Sequence, residues 1–280
     1  MKIAIASGKG GTGKTTISTN LALFLGDGSD KVVYLDCDVE EPNGHLFLNP
    51  VLSEKISSSI PVPVIDNSKC DVCGKCVRFC EYKALVRLGK TVMVFPELCH
   101  GCGGCTLICP HQAIQEQPRE IGFVESGSSG RIGFVHGRLN IGEAMSPPLI
   151  RAVLQQIRSN EVNIIDAPPG TSCPVIASIR GADFVVLVTE PTPFGLNDLG
   201  LALDMVKELG IPHGVVVNRA EDGNRDAESF CDKGQVEILT RIQDDRRIAE
   251  CYSKGEMILK GVPYVQKIFE ELWNAIRKAS

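Results

Sequence analysis

Residues 8–16 read Gly8-Lys9-Gly10-Gly11-Thr12-Gly13-Lys14-Thr15-Thr16, with four glycines in nine positions. Such a run is costly inside a helix or a strand, so it predicts a loop. Before it, Ile3-Ala4-Ile5-Ala6 reads as a short buried strand. After it, residues 17–25 read as a helix. Strand, glycine loop and helix in direct succession predict an α/β fold built on a parallel sheet. The glycines let backbone N–H groups converge on an anion, and the helix N-terminus adds partial positive charge there. From Gly8 to Thr15 the spacing is G-x-x-x-x-G-K-T, which in this context predicts a phosphate-binding loop. Lys14 is then expected on the β- and γ-phosphates, and the Thr15 hydroxyl on Mg²⁺.

The chain has 280 residues, 43% of them apolar, enough for one large α/β domain or one domain with an insert. A net charge of −5 carries no basic footprint, so no nucleic-acid partner is expected. No run approaches the roughly 18 apolar residues that span a bilayer, so no stable membrane insertion is expected. The first residues enter a strand at once, which predicts no signal peptide and a cytoplasmic location. In that setting twelve cysteines mean metal or redox chemistry rather than disulfides.

Further strand-like runs end in polar residues. Residues 31–36 lead into Asp36-Cys37-Asp38, and residues 162–166 into Asp166-Ala167-Pro168-Pro169-Gly170-Thr171. Ligands bind at the carboxyl edge of an open parallel sheet, and carboxylates there suit Mg²⁺. Residues 184–189, 213–218 and 235–242 read as three more strands, the second ending in Asn218. Helices are expected over residues 146–160, 196–209 and 264–278, and another is expected to open at Asp244 as its cap. The last helix carries Val265, Phe269, Leu272 and Ile276 on one stripe. Glu270 and Glu271 lie opposite, which predicts a core-packing helix rather than a membrane-surface one.

Between these parts the texture changes. Residues 51–65, rich in Ser, Pro and Val, read as a boundary. Cys70, Cys73, Cys76 and Cys80 then follow the spacing C-x2-C-x2-C-x3-C, and Cys99, Cys102, Cys105 and Cys109 repeat it. Aligning Cys70 with Cys99 also pairs Ala84 with Ala113, the mark of an internal duplication. Zinc ribbons place two C-x2-C pairs apart rather than four cysteines in one run, twice. Residues 84–86 and 90–95 read as a hairpin between the two runs. Residues 121–124 and 132–136 read as paired strands around a turn at 126–130. Cys37, Cys173, Cys231 and Cys251 stand alone and are expected to be small buried residues.

The cysteine spacing resembles that of a bacterial two-cluster ferredoxin. That resemblance implies one 4Fe–4S cluster on Cys70, Cys73, Cys76 and Cys109, and a second on Cys99, Cys102, Cys105 and Cys80. The loop with its second lysine, Lys9, resembles the deviant phosphate loop of the MinD, ParA and Mrp-type ATPases. It implies ATP bound by Gly8, Lys9, Gly10, Gly11, Thr12, Gly13, Lys14, Thr15 and Thr16, with Lys9 reaching the nucleotide of a dimer partner. The same resemblance gives Asp38 the attacking water and makes Lys9, Lys14 and Asp38 the catalytic residues. It also implies Mg²⁺ near Thr15, Asp36, Asp38 and Asp166, a γ-phosphate sensor at the Gly170 N–H, and adenine at Asn218. Two features depart from these families: a C-terminal C-x-x-C like that of the Mrp-type carriers is missing, and Gln243 replaces the usual proline.

The expectation is an ATPase domain over residues 1–63 and 118–280, mostly parallel with helices on both faces. An α+β ferredoxin-like domain over 64–117 is inserted in it. The expected protein is a homodimer, or a heterodimer with a paralogue, that hydrolyses ATP with Mg²⁺ and passes electrons through two clusters to a redox partner protein. A cluster-assembly factor and a positioning switch with redox sensing are the alternatives.

Overall fold

A computed structural model describes residues 1–28 and 30–279. Its main sheet has nine strands: β1 (Lys2–Ala6), β2 (Val32–Asp36), β3 (Val51–Ile65), β6 (Ile114–Ser129), β7 (Ile132–Leu139), β8 (Val162–Asp166), β9 (Phe184–Thr189), β10 (His213–Ala220) and β11 (Ile238–Gln243). They run in the order β11-β10-β9-β1-β8-β2-β7-β6-β3. The seven strands from β11 to β7 are mutually parallel; β6 is antiparallel to β7, and β3 to β6.

Strands that are apolar on both faces demand cover on both faces. In β1, Ile3 and Ile5 pack with Ile17 and Leu21 of α1 (Lys14–Asp27) and with Phe269 and Leu272 of α11 (Val265–Ala279). Ala4 and Ala6 point the other way. They pack with residues of α5 (Pro147–Leu154), α6 (Cys173–Ile179), α7 (Pro193–Glu208) and α8 (Asp226–Gly234). Val265, Phe269, Leu272 and Ile276 are all fully buried, so α11 is the core-packing helix its stripe predicts. Three short helices complete this body: α2 (Gly44–Leu48), α9 (Arg246–Ser253) and α10 (Ile258–Gly261).

Several expectations need correction. Residues 51–65 are not a boundary but one 15-residue strand, β3, paired along its length with β6. Serines and prolines there mark an edge strand, where a missing N–H costs little. Helix α5 stops at Leu154 and α8 went unpredicted. Helix α9 is capped by Asp245, not Asp244: the Asp245 carboxylate accepts the Arg247 N–H at 2.8 Å.

Residues 66–113 sit at the end of the β3–β6 ribbon. They hold α3 (Lys75–Phe79), α4 (Gly104–Ile108) and a separate hairpin, β4 (Leu85–Leu88) and β5 (Thr91–Val94). The two cysteine runs repeat each other in backbone as well as in sequence. Positive φ occurs at Val72, Gly74 and Lys83 in the first run and at Gly101, Gly103 and Gln112 in the second, the same positions after alignment. Gly74 and Gly103 each turn the chain into a five-residue helix.

Candidate functional site

The glycine loop lies between β1 and α1 at the carboxyl edge of the sheet. Gly13 caps α1 in the left-handed region, φ 92°, and a Cβ there would lie 2.4 Å from Asn218 Nδ2. Only glycine fits. Asn218 Nδ2 donates to the Thr12 carbonyl at 2.8 Å, so the end of β10 is pinned to the loop. A cavity of about 440 Å³ opens beside it, lined among others by Gly10, Gly11, Gly13, Lys14, Thr15, Thr16, Asp38 and Asn218. Its far wall is Gln243, Asp245, Ile248 and Tyr252.

Three carboxylates stand at the strand ends. Asp36 and Asp166 are register partners on adjacent strands, and both are fully buried. Burial first, then Asp166, raises the Asp36 pKa well above the usual carboxylate range. Asp166 is raised by burial against the opposing pull of Lys14. Asp38 is pushed up to about 6, by burial first and then by Asp166. This cluster is short of positive charge, which is the condition a cation relieves. Asp166 Oδ2 accepts the Tyr34 hydroxyl at 2.8 Å, while its Oδ1 is buried without a partner. The Thr15 hydroxyl lies close enough to Asp166 to lower its pKa. Hard oxygens with one free carboxylate oxygen fit Mg²⁺.

Two residues expected on the ligand have other tasks here. Asp36 Oδ2 accepts the Gly44 N–H at 2.9 Å and Oδ1 the Asp38 N–H at 3.1 Å. It therefore ties the Asp38 loop to the start of α2. The Gly170 N–H donates to the Ser7 carbonyl at 3.0 Å instead of facing the cavity. Lys9 lies outside the cavity lining, and its Nζ is 3.3 Å from Glu190 Oε2. Glu190 also holds Arg219, Nη1 to Oε1 at 2.5 Å. Sequence reasoning missed both partners; the Glu-Pro step after β9 and the basic residue after Asn218 were the only signals.

In the lobe, Cys70, Cys73, Cys76 and Cys109 line one cavity, and Cys80, Cys99, Cys102 and Cys105 line another. Each cavity thus gathers the four cysteines of one expected quartet, the crossed fourth cysteine included. The cavities differ. The first is about 20 Å³, near the size that holds one water, and the second about 550 Å³. Among the described residues no three His, Cys, Asp or Glu side chains gather as a single-ion chelate. The donor sets are all thiol and surround a void rather than a point. That chemistry fits an iron–sulfur cluster, though the first cavity must widen to take one. Backbone N–H groups already aim at sulfur, Gly101 to Cys99 at 3.4 Å and Ala113 to Cys109 at 3.3 Å. Of the isolated cysteines, Cys37, Cys231 and Cys251 are buried as expected, but Cys173 is exposed. It begins α6 just after the Gly170 turn, where the chain leaves the sheet edge.

A glycine loop between strand and helix, with strand-end carboxylates beside it, defines a phosphate-loop nucleotide-binding protein. The family model of the CobQ/CobB/MinD/ParA nucleotide binding domain matches residues 3–259, and the chain belongs to that family. It is 33% identical to an uncharacterised protein of Methanocaldococcus jannaschii, over 93% of this chain and 92% of that one. It is 24% identical to the iron-sulfur cluster carrier protein of Pyrococcus abyssi, over 97% of this chain and 83% of that one. Its fold is similar to that of the septum site-determining protein MinD of Pyrococcus horikoshii, solved with Mg-ADP. The TM-score is 0.60 at 20% identity, covering 97% of this chain and 93% of the other. Among the described residues no helix is long and apolar enough to cross a membrane.

Proposed function

We propose that this MinD/ParA-family chain is a Mg²⁺-dependent ATPase whose nucleotide state is coupled to electron transfer through two 4Fe–4S clusters. The observation that carries the reading is the pairing of cavities with quartets: each four-cysteine set encloses its own cavity at the end of a ribbon. That ribbon begins one short helix after Asp38, since α2 is all that separates them. The Mg-ADP held by the MinD neighbour supports the nucleotide and metal assignment.

Lys14 would draw the β- and γ-phosphates, and Thr15 and Asp166 would hold Mg²⁺, which would offset the charge of the phosphates. Asp38 accepts a hydrogen bond from the attacking water and orients it. Asp36 keeps Asp38 in place through the two N–H bonds described above. Lys9 leaves Glu190 and reaches the nucleotide of a second copy, or of a paralogue. Bound clusters supply one-electron carriers; the chain supplies thiolates, N–H donors and a lobe that exposes Cys102 to a redox partner. Movement of the Asp38 loop is transmitted along β3 to the lobe.

The test compares reduction of the clusters by an electron donor with and without ATP, with Lys14→Ala as control. The expected result is an ATP-dependent change in rate that Lys14→Ala abolishes. Identical rates in all three samples would sink the coupling. A second reading, delivery of a cluster to a target, is supported by the wide second cavity and by the cluster-carrier relative. Transfer of iron to an apo-ferredoxin on ATP addition would favour it.

A further inference from the structure

Helix α2 leads out of the Asp38 loop and lies against the nucleotide cavity. Asn43, just before it, lines that cavity, as does Tyr252, whose ring meets the Phe47 ring at 5.3 Å between centroids. The first N–H of α2 is fixed on Asp36. A Cβ at Gly44 would lie 2.4 Å from the Tyr34 hydroxyl, so the helix presses directly on the sheet. His45, the next residue, sets its ring edge-on to that of His136 on β7, with 5.5 Å between centroids.

His136 belongs to a polar row that crosses the sheet. Asp36 on β2, His136 on β7, Glu125 on β6 and Lys55 on β3 are successive register partners. Such partners project from one face, so the row runs from the nucleotide edge to the edge strand. His136 Nε2 lies 3.0 Å from Glu125 Oε2, and Lys55 Nζ lies 3.8 Å from Glu125 Oε1. A carboxylate only accepts, so Nε2 of His136 carries the proton and Nδ1 is left with its lone pair. Burial holds the pKa of His136 below its ordinary value and does the same for His45, which keeps both rings neutral at neutral pH. His136 is 2% exposed. Nδ1 of His136 and Nδ1 of His45 are both enclosed, and neither has a hydrogen-bond partner among the described residues. A buried polar atom left unpaired is costly, and here two stand on rings that touch.

We infer that His45 and His136 are positioning residues for hydrolysis: nucleotide entering the cavity shifts α2, His45 Nδ1–H then donates to His136 Nδ1, and this bond fixes the Asp38 loop. The inference rests on the reading of Asp38 given above. Both rings stay neutral, so no proton is taken up or released. Glu125, held by Lys55, keeps His136 in the tautomer that can accept. Two costly unpaired atoms become one bond in the nucleotide-bound state, which biases α2 toward it. Lys55 stands on β3, whose end leads into the cysteine lobe, so the row also ties the fixed loop to the ribbon.

The experiment uses the full chain as wild type, His45→Phe, His45→Asn, His45→Gln and Asp38→Asn. Steady-state ATP hydrolysis with Mg²⁺ gives kcat, and a fluorescent ATP analogue gives affinity. His45→Phe keeps a ring against His136 but removes the donor. Its kcat is expected to fall by up to about tenfold, the worth of one buried hydrogen bond, with affinity held within about twofold. The amide N–H of asparagine stands near where Nδ1–H stood, and that of glutamine near Nε2–H. His45→Asn is therefore expected to restore kcat and His45→Gln not, whereas a packing role alone makes His45→Phe the mildest change of the three. If His45→Phe folds poorly, the asparagine and glutamine variants carry the test. ¹⁵N NMR of the five histidines supplies the direct signature. With a non-hydrolysable analogue bound, one ring shows a protonated, hydrogen-bonded Nδ1 that is absent without nucleotide and absent in His45→Phe. No such signal, unchanged kcat in His45→Phe, or affinity falling in step with kcat overturns the inference. If Asp38→Asn hydrolyses ATP at the wild-type rate, the reading of Asp38 falls, and the NMR signal still decides whether the histidine bond forms.

Discussion

The nucleotide cavity opens at the edge of a nine-stranded sheet; of the eight cysteines that line the two cysteine cavities, Cys76 and Cys105 stand on helices of five residues and the other six on loops. Around the nucleotide cavity several polar groups are already fixed. Asn218 pins Thr12, Asp36 pins the Asp38 loop, and Tyr34 pins Asp166. In the lobe the buried cluster is Cys76, Leu85, Val92, Cys105 and Ile114, and two of the five are thiols of the proposed cluster quartets. Leu107, Phe79 and Leu98 remain exposed. So small a core cannot offset the chain entropy of about fifty residues. The contrast teaches that the nucleotide site is built before its ligand arrives, whereas under the cluster reading proposed above the lobe is completed by its ligand.

Removal of iron is the most forceful way to break that contrast. Chelation under oxidising conditions, or Cys76→Ser with Cys105→Ser, is expected to speed proteolysis within residues 66–113 by at least about tenfold, because local opening then exposes the backbone. Nucleotide affinity should stay within about twofold, since the cavity shares no side chain with the quartets. Limited proteolysis with mass spectrometry reads the first effect, and a fluorescent ATP analogue the second. An iron-free lobe as resistant as the sheet would end the distinction.

The buried carboxylates sharpen the same contrast from the other side, because a prebuilt site stores repulsion until its cation arrives. Asp38 has a folded pKa of about 6, above the usual value of 3.8. The folded state thus holds this proton more tightly than the unfolded state. Ionised Asp38 costs stability above pH 6, and that cost fades as pH falls from the folded value toward the unfolded one. In metal-free, nucleotide-free protein Asp38→Asn is therefore expected to be more stable than wild type at pH 8, by up to about 3 kcal/mol. The advantage should vanish near pH 4. Paired urea denaturation curves at the two pH values measure it, and an advantage independent of pH would show that Asp38 is not the strained group.

How far the sequence could foretell these two regions follows from range. The loop, the strand-end acids and the two cysteine runs are local patterns, and the expectations for Gly8 to Thr15 and Cys70 to Cys109 came from spacing and from the resemblances that spacing carries. The β3–β6 ribbon was not. Val51–Ile65 is an edge strand with four serines and two prolines, and only its partner 63 or more residues away in many places makes it a strand. Tertiary pairing of that kind overrides composition. The hydrogen bonds of Asp36 to the Gly44 and Asp38 N–H groups and of the Gly170 N–H to Ser7 were also not legible, since the contacts between a strand-end group and a neighbouring loop are ones that no motif encodes. Val72 illustrates the limit in the lobe: a β-branched residue at φ 59° would not be placed there by propensity, and only the duplication with Gly101 gives it away.

The smallest expected effect lies at the edge of the prebuilt site, where Glu190 holds Lys9 and Arg219 together. Under the dimer reading Lys9 must leave this carboxylate to reach a second copy, so Glu190 taxes association. The Glu190 side chain is only 10% exposed, while Lys9 and Arg219 are 31% and 58% exposed. A pair so partly wetted is worth about 1 kcal/mol or less. Glu190→Gln is therefore expected to tighten dimerisation in the presence of a non-hydrolysable ATP analogue by no more than about fivefold, read by sedimentation velocity over a concentration series. The nucleotide-free monomer should be unaffected, because nothing else in the sheet depends on the pair. A weaker dimer would reverse the interpretation. It would mean that Glu190 organises Arg219 along the cavity wall, and that even this rim contact belongs to the prebuilt site rather than to a latch that nucleotide opens.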